Sequence, residues 1–388
     1  MDEKTSALFS EYIIDGVPQE LTPARMLDVC LTDAFPQASE ASFAPIVDET
    51  LDPALKPCVT SPGRIDAYLR QVRALKERVF PVPFADTFTR NRIAQALLDA
   101  IWRKGHFRLG DLSLSLDWSW RGDRIGDMAA FYQSVGSASE YIDALGLRIS
   151  SYGYTPSAGE SDVKVEVQLS CDFPCQHEDE EPFAGEDDFF DELPFRTEHP
   201  RLRSQNLPPS RMLPQPQSWL IYIPFENADY RLGASALAQV LGVSGAVAPK
   251  LEDPDYFIDC YEVVRELVED GVVIAGVTVG EGGLISALRR FTSPKAGTTA
   301  DLSGLARAKD ESDIVRLLFS EVPGVLIQIA DLDYDYVDAE LLLQDVAFYP
   351  LGHPEPQKPG VRVRSDDRSG IQTILESLIR NQSPEGED

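Results

Sequence analysis

The chain has 388 residues, of which 43% are hydrophobic, so it can fill the core of one large domain or of two. It carries 64 acidic and 35 basic side chains, which gives a formal net charge of −29. A surface with this charge repels nucleic acids and anionic membranes, so we expect neither as a partner. A phosphate-bearing small molecule remains compatible with it, because helix N-termini and a few arginines can bind such a molecule locally.

The cysteines and the N-terminus indicate the compartment. The sequence contains five cysteines, Cys30, Cys58, Cys171, Cys175 and Cys260. This odd, sparse set is not the pattern of a disulfide framework. The N-terminus lacks the basic segment and apolar run of a secretory signal, and no stretch approaches the ~18 uninterrupted apolar residues of a membrane span. We therefore expect a reducing, cytoplasmic setting.

Hydrophobic periodicity predicts the elements of the first half. Residues 1–60 have no clear period and predict an irregular N-terminal extension. Apolar residues at three- and four-residue spacings then predict helices, and alternating apolar and polar residues predict strands. The predicted helices cover residues 65–79, 86–104 and 127–145, and the predicted strands cover 112–120, 147–151, 163–169 and 219–223. Gly146 is well placed to end the last of these helices.

An acidic insert interrupts this order at residues 171–216. Residues 178–192 carry nine carboxylates in fifteen positions, and this charge density predicts a disordered or loosely packed segment. The segment could be an interaction tail or a metal-attracting loop, but a solvated insertion is the commoner case. Cys171, Cys175 and His177 do not have the spacing of a zinc site, so we predict no metal.

The second half has an alternating α/β pattern. The predicted helices cover 234–242, 253–270, 282–291, 310–320 and 335–344, and the predicted strands cover 272–278, 324–330 and 345–350. We expect two domains after the extension, one over 61–230 that contains the insert and one over 231–355. The tail, 356–388, includes one predicted amphipathic helix at 371–379.

The most suggestive motif is a glycine-rich turn between a β-branched strand and a helix. Gly280, Glu281, Gly282 and Gly283 allow a tight turn, and N–H groups at the start of the helix can bind an anion. A plain structural turn is the commoner explanation, and no Walker motif follows. We predict weak anion or nucleotide binding here, with Arg231 or Arg289 near.

Histidine placement argues against hydrolysis. None of the four histidines in the sequence lies next to a Cys or Ser that could act as a nucleophile. A hydrolase or glutaminase reaction is therefore poorly supported, and we predict no catalytic residue.

Several segments, in order, resemble the second half of phosphoribosylformylglycinamidine synthase, an enzyme of purine biosynthesis. Residues 232–239 are similar to the family's L-G-G/A-T-A-L-A-Q, and residues 318–325 to its L-F-x-E-x-P-G-x. The other matching segments are 91–100, 115–119, 126–135 and 144–147. The resemblance covers about residues 85–355. It implies an α/β (α+β), two-domain fold like aminoimidazole ribotide (AIR) synthase, with an N-terminal sheet- or barrel-forming domain and a C-terminal split βαβ domain.

The sequence departs from this family where the resemblance places its ligands. The family's G-K-D-S turn serves nucleotide phosphates and magnesium, but residues 150–156 contain neither Lys nor Asp. In the family's H-D-x-S-D-G-G-L motif, the histidine is replaced by Val277 and the first aspartate by Thr278, and only Glu281 keeps a carboxylate. ATP or ADP with Mg²⁺ is the cofactor that the resemblance implies, and we predict that its binding is weak or lost.

Three functions follow from this resemblance. We favour a degenerate, stand-alone homologue of this ATP-dependent C–N ligase, inactive alone, that acts as a scaffold or binding protein linked to purine biosynthesis. We expect it to form a homodimer or to dock onto a purine-biosynthesis synthase, because a lone half would leave a sheet edge uncovered. The alternatives are an active synthase subunit that works with partner chains, and an acidic protein-interaction module on a reused fold.

Overall fold

The computed structural model describes residues 5–31, 38–39, 42–43, 58–170, 205–243 and 246–364. The predictions made for Cys171, Cys175, His177, the run 178–192 and the helix 371–379 lie outside these ranges.

Ten α-helices lie in the described part of the chain. They are α1 (Pro23–Leu27), α2 (Ile65–Ala74), α3 (Ala85–Arg103), α4 (Asp127–Ala144), α5 (Ala236–Val240), α6 (Pro254–Glu269), α7 (Gly283–Phe291), α8 (Ser303–Ala308), α9 (Ile314–Phe319) and α10 (Tyr334–Leu343). Asp253 and Asp313 cap α6 and α9 through their side chains, which accept from backbone N–H groups of the first turn. Gly146, which has φ of +66°, follows α4 as the sequence predicts.

Fifteen strands accompany these helices in the described ranges. They are β1 (Thr5–Ser6), β2 (Ile13–Ile14), β3 (Val17–Pro18), β4 (Ala38–Ser39), β5 (Ser42–Phe43), β6 (Leu112–Trp120), β7 (Arg148–Pro156), β8 (Asp162–Leu169), β9 (Ser218–Pro224), β10 (Val273–Val279), β11 (Ala296–Asp301), β12 (Gly324–Ala330), β13 (Tyr349–Gly352), β14 (Pro354–Pro356) and β15 (Val361–Arg364).

Two four-stranded sheets organise the chain. The first has the order β4-β7-β6-β8, in which β6 runs parallel to β7 and antiparallel to β8. The second has the order β10-β12-β9-β13 and is antiparallel throughout. A smaller sheet, β14-β11-β15, stands beside the second. The predicted mixed α/β class is therefore confirmed.

The second sheet separates two hydrophobic cores. Alternate residues of β12 point to opposite sides, so Val325 and Ile327 join one core while Leu326 joins the other. The first core continues through α6 to α3, α4 and the first sheet. The second core packs α7 and α9 on the other face. The glycine-rich turn thus lies where β10, at the edge of this sheet, meets α7.

Two parts of the structure differ from the sequence prediction. The expectation of loose packing is wrong for residues 205–216, because Met212 is buried in the second core and Asn206 donates to the carbonyl oxygens of Val268 and Glu269. The boundary near residue 230 stays a prediction, but β9, which precedes it, is hydrogen-bonded to β12 and β13, which follow it. Among the described helices, none combines the length and apolar character that crossing a membrane requires.

Candidate anion-binding site

The turn between β10 and α7 requires glycine at two consecutive positions. Gly282 has φ of +78° and Gly283 has φ of +71°, a left-handed conformation that side chains disfavour. A Cβ on Gly283 would also lie 2.5 Å from the carbonyl oxygen of Leu318. The turn is therefore packed against the end of α9, and a side chain at Gly283 would force backbone atoms to move.

A carboxylate of the protein itself binds the N–H group of this turn. The Oε1 atom of Glu321 accepts from the Gly282 backbone N–H at 2.8 Å and from the Ala236 N–H at 2.8 Å. The Glu321 carboxylate also pairs with the Arg78 guanidinium at 2.9 Å, and both side chains are about nine-tenths buried. The place where an external anion would meet Gly282 is therefore occupied.

Other contacts hold the Arg78–Glu321 pair in position. Arg78 donates to the carbonyl oxygen of Ala234 at 2.8 Å, and the Asn91 amide donates to the carbonyl oxygen of Glu321 at 2.6 Å. Neither Arg78 nor Glu321 was a candidate site residue in the sequence. The segment 318–325, which includes Glu321, resembles a motif of the family and could have marked Glu321 as a site residue. From the sequence alone, this segment was used only to establish the resemblance.

The positions that match the family's ligand-binding residues make contacts within the protein instead. Thr278 is buried, and its hydroxyl accepts from the Trp102 indole N–H at 3.2 Å. A Cβ on Gly280 would lie 2.4 Å from the Gln95 side chain, which packs against the turn. The sequence interpretation of 150–156 as a turn is wrong, because these residues continue β7 and pair with β6 as far as Trp120.

The side chains present do not fit a nucleotide–magnesium group. In β7, Ser151 shares a hydrogen bond with Ser115, and the strand offers no lysine or carboxylate. Glu281 is about half exposed, and Arg92 lies 3.7 Å from its carboxylate. No group of three or more His, Cys, Asp or Glu side chains in the described ranges could hold a metal ion. One carboxylate beside a guanidinium is not a Mg²⁺ site.

A cavity lined by arginines opens beside the turn. Its volume is about 650 Å³, and it lies between α2, α7 and the segment that follows α7. Four arginines line it, Arg73, Arg211, Arg289 and Arg290, together with Glu281, Gly282, Ser286, Thr292 and Ser293. Four guanidinium groups against one carboxylate make this region locally basic within a strongly acidic protein.

These arginines differ in how they are held. Arg290 donates to the carbonyl oxygen of Thr278 at 2.9 Å, and Arg289 lies 3.4 Å from the exposed carboxylate of Asp66. Neither Arg73 nor Arg211 has an ion pair with a carboxylate of the described residues. Such guanidinium groups can donate two parallel hydrogen bonds to phosphate oxygens.

The structure brings most of the predicted site residues together. Glu281, Gly282 and Arg289 line the arginine cavity, and Gly280 and Gly283 belong to the same turn. Arg231 is not among the residues that line the cavity. Its guanidinium pairs with Asp229 at 3.2 Å, and both side chains are exposed.

Sequence comparison finds relatives that are named phosphoribosylformylglycinamidine synthase. The chain is 25% identical over 275 residues to a probable phosphoribosylformylglycinamidine synthase, chloroplastic/mitochondrial, of Arabidopsis thaliana, which covers 71% of this chain and 18% of the relative. It is 32% identical over 171 residues to the phosphoribosylformylglycinamidine synthase of Drosophila melanogaster, which covers 42% of this chain and 12% of the relative. The chain thus spans less than a fifth of either relative. No family model matches it.

Structural comparison also returns matches. Among them is phosphoribosylformylglycinamidine synthase II of Thermotoga maritima, with a TM-score of 0.47, 12% identity, and coverage of 74% of this chain and 41% of that chain. The sequence matches carry the assignment, because homologous chains share a fold. The resemblance inferred from the motifs is thereby confirmed: this chain is a homologue of phosphoribosylformylglycinamidine synthase, similar to a segment of it, with an AIR synthase-like α/β fold.

Proposed function

We propose that this chain is a non-catalytic homologue of phosphoribosylformylglycinamidine synthase that serves as a scaffold or binding protein linked to purine biosynthesis. One observation carries this proposal: at the positions matched to the family's ligands, Thr278 is buried against Trp102, and residues 150–156 continue β7 with neither lysine nor carboxylate. Phosphoryl transfer requires a metal and cationic clamps around the phosphates. Thr278 and residues 150–156 supply neither.

We further propose that a phosphate-bearing small molecule binds in the arginine cavity rather than on the turn. The cavity is within the size range of small-molecule sites, and Arg73 and Arg211 have no described carboxylate partner. The class of ligand follows from the guanidinium groups, which bind phosphate oxygens with two donors each.

Calorimetry tests both parts of the proposal. Titration with ATP or ADP plus Mg²⁺ should give little or no heat when the full chain carries Arg73→Ser and Arg289→Ser, and submillimolar binding to that variant would refute the loss of the nucleotide site. Titration with inorganic phosphate and with ribose 5-phosphate should show saturable binding. Arg73→Ser with Arg289→Ser should abolish that binding, and Arg231→Ser, which changes an exposed arginine outside the cavity, should leave it unchanged.

The active-subunit alternative predicts a different result. A working ligase subunit would show ammonia-dependent ATP hydrolysis when it is mixed with its partner chains, and it would co-purify with a glutaminase. If either activity were found and were lost in Glu321→Gln, the non-catalytic proposal would be wrong.

We also keep the proposal of a homodimer, or of docking onto a synthase, in the cytoplasm. The strand β8 is at the edge of the first sheet within the described ranges, and its unpaired backbone groups could extend the sheet into a second chain. The described cysteines Cys30, Cys58 and Cys260 are free thiols, which is compatible with a reducing compartment. Sedimentation of the purified chain tests the dimer, since a monomer at micromolar concentration would remove it.

A further inference from the structure

The helix α10 is apolar on two opposite sides. On its inner side, Val337 and Leu341 are fully buried, and the Tyr334 ring lies 5.2 Å from the ring of Trp219. These contacts fix the helix to the first core and to β9. A surface helix of a globular protein normally presents polar residues on the side that faces solvent, whereas α10 also presents large apolar residues there.

The outer side carries an exposed row of apolar side chains. Leu332, in the short 3-10 turn that precedes α10, is 94% exposed, and Tyr336, Leu342 and Leu343 are 43%, 65% and 78% exposed. We call Leu332, Tyr336, Ala339, Leu342 and Leu343 the α10 stripe. Ala339 is also exposed. Positions 332, 336, 339 and 343 are separated by four, three and four residues, the spacing by which one helix packs along another.

The residues around the α10 stripe are acidic. Six carboxylates lie in positions 331–345, Asp331, Asp333, Asp335, Asp338, Glu340 and Asp345. The sequence contains no Lys or Arg between Arg316 and Lys358. Asp270, which directly follows α6, adds to this field, because the Tyr336 hydroxyl donates to its carboxylate at 3.1 Å. The apolar row is therefore surrounded by negatively charged side chains.

This charge selects among the surfaces that could cover the stripe. A second copy of the chain would bring two identical sets of carboxylates together, which is unfavourable. A membrane with anionic lipids is repelled for the same reason. A helix with an apolar row flanked by lysines and arginines matches both the apolar spacing and the charge.

We propose that the α10 stripe is a docking surface for a basic amphipathic helix of a partner protein. Leu332, Leu342 and Leu343 supply the apolar contacts, and the surrounding carboxylates attract and orient the partner. This interface is independent of the arginine cavity and of any ligand bound there.

The test uses a synthetic peptide as the probe. A fluorescent helical peptide of about 18 residues, long enough to hold a helix, carries leucines at the a and d positions and lysines elsewhere. Two comparison peptides have the same composition with the leucines scrambled, or glutamates in place of the lysines. Fluorescence anisotropy with the full chain measures the affinity of each peptide at two salt concentrations.

We expect saturable binding of the first peptide, on the order of micromolar, that weakens as salt increases. The double variant Leu332→Ser with Leu343→Ser should weaken it about tenfold or more, because exposed anchor residues dominate such interfaces. Both positions are exposed, so the fold should be retained. The matched control is Ile125→Ser, which removes an aliphatic side chain that is 85% exposed elsewhere.

Several results would overturn the proposal. Equal binding of the scrambled or the glutamate peptide would show that general charge, or apolar content alone, accounts for the signal. An unchanged affinity in the double variant would place binding elsewhere. A wild-type dimer that the double variant abolishes would make a second copy the occupant. If the peptide bound the Ile374→Asp variant of the full chain but not the wild-type chain, the chain's own segment 371–379 would be the occupant.

Discussion

Substitution of Glu321 by alanine tests the central feature of the candidate site. The carboxylate accepts from two backbone N–H groups and pairs with Arg78, whose side chain is 10% exposed. A hydrogen bond to a charged group contributes about 1.5–3 kcal/mol, and removing one partner of a buried ion pair costs about 3–5 kcal/mol. These contributions overlap because both arise from the same carboxylate. We therefore expect the free energy of unfolding to fall by about 3–5 kcal/mol.

Urea denaturation of the full chain measures this loss. Asp229→Ala is the control, because it breaks an exposed ion pair with Arg231 and should cost less than about 1 kcal/mol. A loss in Glu321→Ala as small as that of the control would refute the reasoning, since it would mean that Arg78 and the turn find other partners without cost.

Added carboxylate ions provide a more specific readout of the same variant. In Glu321→Ala, acetate or formate can enter the vacated space and bind the Gly282 N–H and the Arg78 guanidinium. Ligand at a hundred times its dissociation constant stabilises a protein by about 2.7 kcal/mol. The variant should gain stability with acetate at constant ionic strength, and the wild-type chain should not. An equal response of both chains would contradict the view that Glu321 occupies an anion position.

Three further substitutions test other parts of the structure. Gly283→Ala should cost at least about 1 kcal/mol in urea denaturation, because its φ is positive and its Cβ would meet backbone, whereas Gly304→Ala, which has open space in α8, should be neutral or stabilising. Met212→Ala should cost about 2–5 kcal/mol and Leu207→Ala less than about 1 kcal/mol, since the first side chain is 2% and the second 54% exposed; equal losses would contradict the packing of 205–216. Burial raises the pKa of Glu226 from 4.5 to about 7. Between these two pH values, the folded state therefore holds a proton that the unfolded state releases. The contribution of Glu226 to the free energy of unfolding is complete below pH 4.5 and is lost as the pH rises through 7. Glu226→Gln should gain stability relative to the wild-type chain by up to about 3 kcal/mol between pH 4.5 and 8, and a constant difference would refute the shift.

The fold was predictable where burial is one-sided. The alternation in β6 places Leu114, Leu116 and Trp118 on the core side, and the predicted strand has the observed bounds. The strand β12 was also predicted with its observed bounds, as a short apolar run that ends in turn residues. In contrast, β11 and β15 were missed, because these short strands are stabilised by pairing between segments about sixty residues apart.

The candidate site was predictable only in its local part. The sequence marks the glycine turn, since glycines between a strand and a helix are adjacent in the chain. It does not indicate that Glu321 lies against Gly282, or that Arg78, 243 residues away from Glu321, pairs with it. The charge of a site depends on such distant neighbours, so the sequence predicted an anion-binding turn but not that a carboxylate anion of the same chain, Glu321, binds the Gly282 N–H.

The identity of that anion decides where an external ligand can bind. To reach Gly282, a phosphate would have to displace a carboxylate that is attached to the same chain and therefore has a high local concentration. It would also have to separate that carboxylate from Arg78 in a region that water barely reaches, and a displaced Glu321 would remain buried without a partner. In the arginine cavity, Arg73 and Arg211 have no described carboxylate partner to displace. A phosphate-bearing ligand would therefore bind beside the turn at lower cost than on it, and substitution of the cavity arginines should affect such binding more than any change within the turn.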